Sequence, residues 1–191
     1  DENVVVINLA ESGETMKSFE YSGRLQKLLS LVKKGDYVFI QFGHNDQKPG
    51  KNFLDANTDY KEYLKRYINL VKEKGGQPVL VSSMHRRNFD ENGKIVNTHG
   101  RYPEAMKEVA AEENIPFINL NEMSKYLYEA LGVENSKKLF VHYPANSFPG
   151  QTEPLSDNSH HSTYGAYQLA KCVIKGIIDN NLVLKNYLRD K

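Results

Sequence analysis

The feature that most constrains this chain is a fourfold alternation of short apolar runs with longer stretches of helical period. Val4–Ile7, Tyr37–Phe42, Pro78–Val81 and Pro116–Leu120 are short, mainly apolar runs, broken only by Gln41 and Asn119. That pattern predicts strands buried on both faces. Between them, Leu25, Leu28, Leu29 and Val32 recur at helical spacing from Ser18 to about Lys34, before Gly35. The lysines there sit at the end the helix dipole favours. Thr58 to Lys74 carries Tyr63, Tyr67, Leu70 and Val71 on one face and stops at Gly75-Gly76, a glycine C-cap signal. Further helices are expected from Pro103 to about Asn114, Glu122 to about Leu131, and near Ser162 to about Asn180. Strand and helix in strict succession imply an α/β fold with a parallel sheet and helices on both faces.

Two stretches lack either period. His85 to Arg101, with Asn92-Gly93 as a turn signal, is expected to be a small surface excursion. Lys138 to Ser159 contains Pro144, Pro149, Gly150 and Pro154 and is expected to be a long loop, a kind of segment that usually carries function. At 191 residues the chain has the size of one domain, residues 1–191. Lys plus Arg number 25 against 24 Asp plus Glu, and a balance of that kind creates no field for phosphate backbones or anionic lipid. Neither nucleic acid nor membrane is expected as a partner. Cys172 stands alone, which excludes a disulfide or Cys-based zinc site within this chain. No apolar run has the length of a membrane span, and Asp1-Glu2-Asn3 leads into the first strand without a basic n-region.

Three polar segments follow predicted strands or precede a predicted helix. In Asp157-Asn158-Ser159-His160 a carboxylate three residues before a histidine, on a turn, can accept the ring Nδ1 proton and leave Nε2 free as a base. The alternative is a set of turn and cap residues with solvated histidines. A metal reading would use Asp157, His160 and His161, perhaps with His44 or His142, but adjacent histidines tend to point apart. Gly43-His44-Asn45-Asp46 follows the second strand, at the carboxyl edge where open α/β sheets bind ligands. Asn45 there can offer its amide to an oxyanion, or the tetrapeptide is an ordinary turn. Gly13, after the first strand, can offer a backbone N–H to the same oxyanion, or simply permit a turn. Taken together, a base with its orienting acid and two oxyanion donors at one sheet edge match what a hydrolytic site requires.

These residues resemble a known family. Gly13 in its Asn8–Phe19 context, Gly43-His44-Asn45-Asp46 after Phe39-Ile40-Gln41-Phe42, and Asp157-x-x-His160 before Tyr164-Gly165-Ala166 are similar, in order, to the second, third and fifth blocks of SGNH (GDSL-like) hydrolases. The His44 variant of the third block, Arg86-Arg87-x-Phe89-Asp90-x-x-Gly93-Lys94 and Ser136-Lys137-x-Leu139-Phe140-x-His142 resemble the rhamnogalacturonan acetylesterase group. The resemblance implies a flavodoxin-like three-layer α/β/α sandwich with a parallel sheet. It implies a serine esterase, without cofactor or metal, that deacetylates a polysaccharide of the rhamnogalacturonan, pectin or xylan kind. Gly13 and Asn45 would be the oxyanion donors, His160 the general base and Asp157 its partner. It also favours a bacterial, extracytoplasmic setting, with no signal peptide in this chain.

The family's first block, a Gly-Asp-Ser motif at the end of its first strand, has no counterpart before Asn8 or after Asn181. In the family's strand order this strand lies between Val4–Ile7 and Tyr37–Phe42. Its absence would leave backbone groups unpaired in a sheet interior, at about 1–3 kcal/mol each. The expectation is therefore that an N-terminal segment or partner chain supplies the strand and the serine. Ser12, Ser82 and Ser83 lie in the right region but lack the nucleophile's sequence context. The alternative is a catalytically degenerate domain that binds carbohydrate.

Overall fold

A computed structural model of the chain describes residues 3–189; Asp1 and Glu2, at the expected entry to the first strand, lie outside them. The chain divides into two compact units, each discontinuous in sequence. Residues 3–83, 99–119 and 176–189 form one, and residues 84–98 and 120–175 the other.

The first unit is built on a parallel sheet of β1 (Tyr37–Ile40), β2 (Gln77–Val81) and β3 (Phe117–Ile118), in that order. Its register sets Val38 beside Pro78, Ile40 beside Leu80, and Leu80 beside Phe117. Because side chains alternate along a strand, Val38, Ile40 and Leu80 share one face. There they join a core with residues of α1 (Met16–Tyr21), α2 (Arg24–Leu31), α3 (Asp59–Glu73) and α4 (Tyr102–Glu112). Leu64, Ile68 and Val71 of α3 and Met106 and Val109 of α4 are all but inaccessible to solvent. Val79, Val81 and Ile118 point to the other face. The last turn of α6 (Thr163–Asp179) covers that face at Ile118, where Gly176 lets the helix come so close that a Cβ would stand 2.5 Å from Ile118 Cγ2. Asn180 Nδ2 completes the contact by donating to Phe117 O at 3.0 Å. The architecture is α/β with helices on both faces of a parallel sheet.

Two sequence expectations in this unit are corrected. Val4–Ile7 forms no strand, and Val5, Val6 and Ile7 are 80%, 88% and 63% exposed. The run has strand propensity, but a strand exists only through ladder bonds to a neighbour, and no described segment pairs with it. The edge of β1 away from β2 is likewise without a strand partner among the described residues. The single helix expected from Ser18 to Lys34 is two, because Gly23 adopts a left-handed conformation (φ 76°) between α1 and α2. Such a break costs glycine little.

The second unit contains α5 (Leu120–Asn135), interrupted at Gly132 (φ 73°, ψ 176°), and an antiparallel pair, β4 (Phe140–Tyr143) with β5 (Leu155–His161). Tyr128, Leu139 and Phe140 form its buried centre with Ile95. The excursion after β2 is pinned by a bridge between Phe89 and Ile95. The long loop expected from Lys138 to Ser159 is corrected, since both its ends are strand. Only residues 144–154 connect them, and β5 is largely exposed and polar, so no apolar alternation betrays it.

Candidate active site

In the first unit the segments after Asn8 and after β1 are tied together by one buried carboxylate. Asp46 is wholly inaccessible to solvent. One of its oxygens accepts the Met16 N–H at 2.8 Å and the other the Gly43 N–H at 2.7 Å. Burial pushes its pKa up against the opposing pull of these backbone donors. Thr15 caps α1 in a capping box with Ser18, which fixes where the helix's first free N–H points. At Gly43 (φ 115°) the chain leaves β1 so tightly that a Cβ would meet Tyr60 Oη at 3.1 Å and Tyr102 Cβ at 3.3 Å. Tyr60 and Ser83 hydroxyls both donate to the Phe42 carbonyl just before it.

This bracing places Asn45 and Gly13 on one hollow of about 270 Å³, lined also by Thr15, Lys48 and Asn52. Asn45 Nδ2 donates to Glu14 O at 3.1 Å, which orients the amide and leaves its second N–H for another acceptor. Gly13 needs its glycine for conformation, not space, because φ is 81° and an added Cβ would meet nothing within 4 Å. His44 stands beside His99, with ring centroids 5.2 Å apart, and Gln47 Nε2 lies 3.1 Å from His99 Nδ1.

In the second unit Asp157 and His160 stand on β5, not in a loop before the last helix as the sequence suggested. Phe140 pairs with His161 and His142 with Ser156, so between those pairs Val141 alone faces Asp157–His160. The four residues bulge into an arch. Asp157 Oδ1 gathers the N–H groups of Ser159 (2.6 Å) and His160 (2.9 Å), while Oδ2 takes His160 Nδ1 at 2.7 Å. Partial burial acts to raise the Asp157 pKa, but these backbone donors and the His160 ring outweigh it and bring the carboxyl down to about 2. Asp157 is therefore an anion across the whole range in which an esterase operates. A carboxylate can only accept at Nδ1, which favours the Nδ1–H tautomer of His160, and the His160 side chain is 69% exposed.

His161, a ligand in the metal reading, points elsewhere. Its Nε2 lies 3.0 Å from Tyr128 Oη and its ring packs on Phe140, centroids 4.5 Å apart. Burial first, then the neighbouring His160, drives its pKa down to about 4, so it is a neutral packing residue. Sequence reasoning missed Asp46 as a brace, and it placed Arg87 only within a motif of resemblance and gave it no structural role; the Arg87 backbone N–H donates to Asn158 O at 2.8 Å and its Nη1 to Asn158 Oδ1 at 3.0 Å. Only the turn-like composition around Asp46 hinted at the first, and nothing local signals a contact 71 residues apart.

This chain belongs to the GDSL-like Lipase/Acylhydrolase family, whose sequence pattern matches residues 1–142. That match ends before Asp157, but individual relatives extend past it. The chain is 44% identical over 187 residues to "Rhamnogalacturonan acetylesterase RhgT" of Bacillus subtilis, covering 98% of this chain and 80% of that protein. It is 37% identical to "Probable rhamnogalacturonan acetylesterase YesY" of the same organism, covering 96% and 81%. Among solved structures, the YxiM protein of Bacillus subtilis superposes with a TM-score of 0.79 at 26% identity, over 94% of this chain and 47% of that one.

Proposed function

We propose that this chain is the greater part of a serine esterase that removes acetyl groups from an acetylated polysaccharide of the rhamnogalacturonan type. The observation that carries the reading is the Asp157–His160 pair, an anionic carboxylate fixing an exposed imidazole in the tautomer a general base needs. The 44% identity to a rhamnogalacturonan acetylesterase over nearly the whole chain supports the choice of substrate.

In this mechanism a serine Oγ attacks the acetyl carbonyl while His160 Nε2 takes its proton, with Asp157 holding the imidazolium. In this reading the tetrahedral oxyanion is met by the Gly13 N–H and the second N–H of Asn45, whose amide is oriented before the reaction by Glu14 O. Collapse breaks the bond to the sugar oxygen, which leaves with the proton from His160. Water then attacks the acetyl-serine with His160 again as base, the acyl–Oγ bond breaks, His160 returns the proton to the serine Oγ, and acetate departs. Every proton moves through one ring nitrogen.

The nucleophile in this reading sits on an N-terminal strand that pairs with β1. Support comes from the strand-free edge of β1 and from the exposed, apolar Val4–Ile7, a run suited to the far side of such a strand. Labelling the full-length protein with a fluorophosphonate, followed by peptide mapping, tests this. The expected result is one labelled serine on a segment preceding Asn3. Label on Ser12, Ser82 or Ser83 would assign the nucleophile within these residues, and no label on folded protein would refute the serine mechanism.

A further inference from the structure

An arch of four residues with one residue opposite it has few ladder bonds to keep its shape, and a base must be held to a fraction of an ångström. Asp157 braces the arch from inside. From outside it is held at Asn158, whose Oδ1 lies 3.0 Å from Arg87 Nη1 and 2.9 Å from His142 Nε2, and whose carbonyl accepts the Arg87 N–H at 2.8 Å. The rest of the Arg87 fork is committed as well. Nε donates to Ser136 Oγ at 3.0 Å, Nη2 donates to Val133 O, and the guanidinium lies 5.6 Å from the Phe89 ring centroid. Ser136 is itself fully buried and donates to Val133 O.

Arg87 is only 9% exposed, and although Glu134 attracts it through space, no carboxylate among the described residues forms a salt bridge with it. Removing a cation from water without a directly paired anion is costly, and a packing residue would not need the charge. What arginine offers is a planar fork of five donors, able to reach Ser136, Val133 and Asn158 at once. Lysine, with one ammonium, cannot bridge these three acceptors.

We propose that Arg87 is a positioning residue for catalysis, acting through Asn158 to hold the Asp157–His160 arch in its working geometry. This rests on the reading of His160 as the base. Arg87 touches neither the reacting atoms nor, in this account, the substrate. Loosening it lets His160 Nε2 wander, and a displacement of about 1 Å is enough to cost on the order of 10²-fold in rate.

The test uses the full-length protein with a small acetyl ester and measures kcat and KM for Asn158→Ala, Asn158→Asp, Arg87→Lys and His160→Ala. In parallel, ring ¹⁵N shifts report the tautomer of His160. Asn158 is exposed, so its variants keep the fold and carry the test even if Arg87→Lys does not accumulate. Expected are kcat losses of about 10- to 100-fold in Asn158→Ala and Arg87→Lys with KM within about twofold, drift of His160 from the Nδ1–H tautomer, and rescue by Asn158→Asp, which keeps the acceptor. If Asn158→Ala retains kcat and tautomer while His160→Ala is inactive, the positioning role is wrong and the base assignment stands. If Asn158→Asp is as impaired as Asn158→Ala, the acceptor role is wrong. Wild-type turnover in His160→Ala would overturn the base assignment underneath.

Discussion

Replacing Asp46 with asparagine should strike the brace that holds the Asn45 segment to the Gly13 segment. Each carboxylate oxygen accepts one backbone N–H, from Met16 and from Gly43, inside a site closed to water. An amide has only one acceptor oxygen, so whichever way it turns, one N–H faces an NH₂ group. The loss is one charge-assisted bond and one buried donor left unmet, about 1.5–3 and 1–3 kcal/mol respectively. Relief of the carboxylate's burial cost offsets part of this, and we expect a net loss of about 2–3 kcal/mol, a large share of a domain's usual 5–15. Urea unfolding of the chain, comparing midpoints at equal slope, measures it. The pH dependence carries a sign. Burial raises the Asp46 pKa above its ordinary 3.8, so the stability the group contributes is complete below that value and declines as pH rises through the folded-state pKa. The gap between wild type and Asp46→Asn should thus be widest in acid and narrow toward neutrality. A gap under about 0.5 kcal/mol at every pH, within the range of an ordinary surface substitution, would refute the bracing argument.

Other outcomes follow from the same geometry. Asn45→Ala should lower kcat of the full-length enzyme by about 10²-fold or more with the unfolding midpoint nearly unchanged, since the side chain makes one bond, to Glu14 O. Asp157→Asn should cost about 10⁴-fold in kcat through the wrong tautomer of His160. A carboxyl ¹³C titration of the wild type should place Asp157 near 2. Its depressed value means its stabilising contribution is present above the ordinary 3.8 and lost as pH falls toward 2, and a midpoint at 4 or above would contradict the arch. Gly165→Ala should fail to accumulate or unfold several kcal/mol earlier, because its Cβ would stand 1.8 Å from the Leu139 carbonyl oxygen. Gly150→Ala, with open space and only its φ of 77° to strain, should cost about 1–2 kcal/mol.

Much of the fold was legible in the sequence because β1, β2 and β3 each bury apolar residues in a parallel sheet, which writes short apolar runs, even though Phe39 of β1 is 38% exposed. Val4–Ile7 has the same composition and no strand, because propensity states what a segment tolerates and not what lies beside it. β5 failed in the opposite way. Leu-Ser-Asp-Asn-Ser-His-His is polar, exposed and bulged, so neither period nor burial marks it, and its form depends on the partner β4 and on a carboxylate folding back onto its own backbone. The Asp157-x-x-His160 spacing survived this error because the pairing is local, within a single turn of chain. Asp46 and Arg87 were invisible as structural residues because a decisive partner of each lies far away in sequence, Met16 for Asp46 and Asn158 for Arg87.

The central claim is that His160, held by Asp157, moves the protons of polysaccharide deacetylation. Acetate released from acetylated rhamnogalacturonan by the full-length protein and by its His160→Ala variant measures this directly. The account predicts steady release by the wild type and a rate at least about 10³-fold lower in the variant, with both proteins folded. Equal release by the two, or none by the folded wild type, would contradict it.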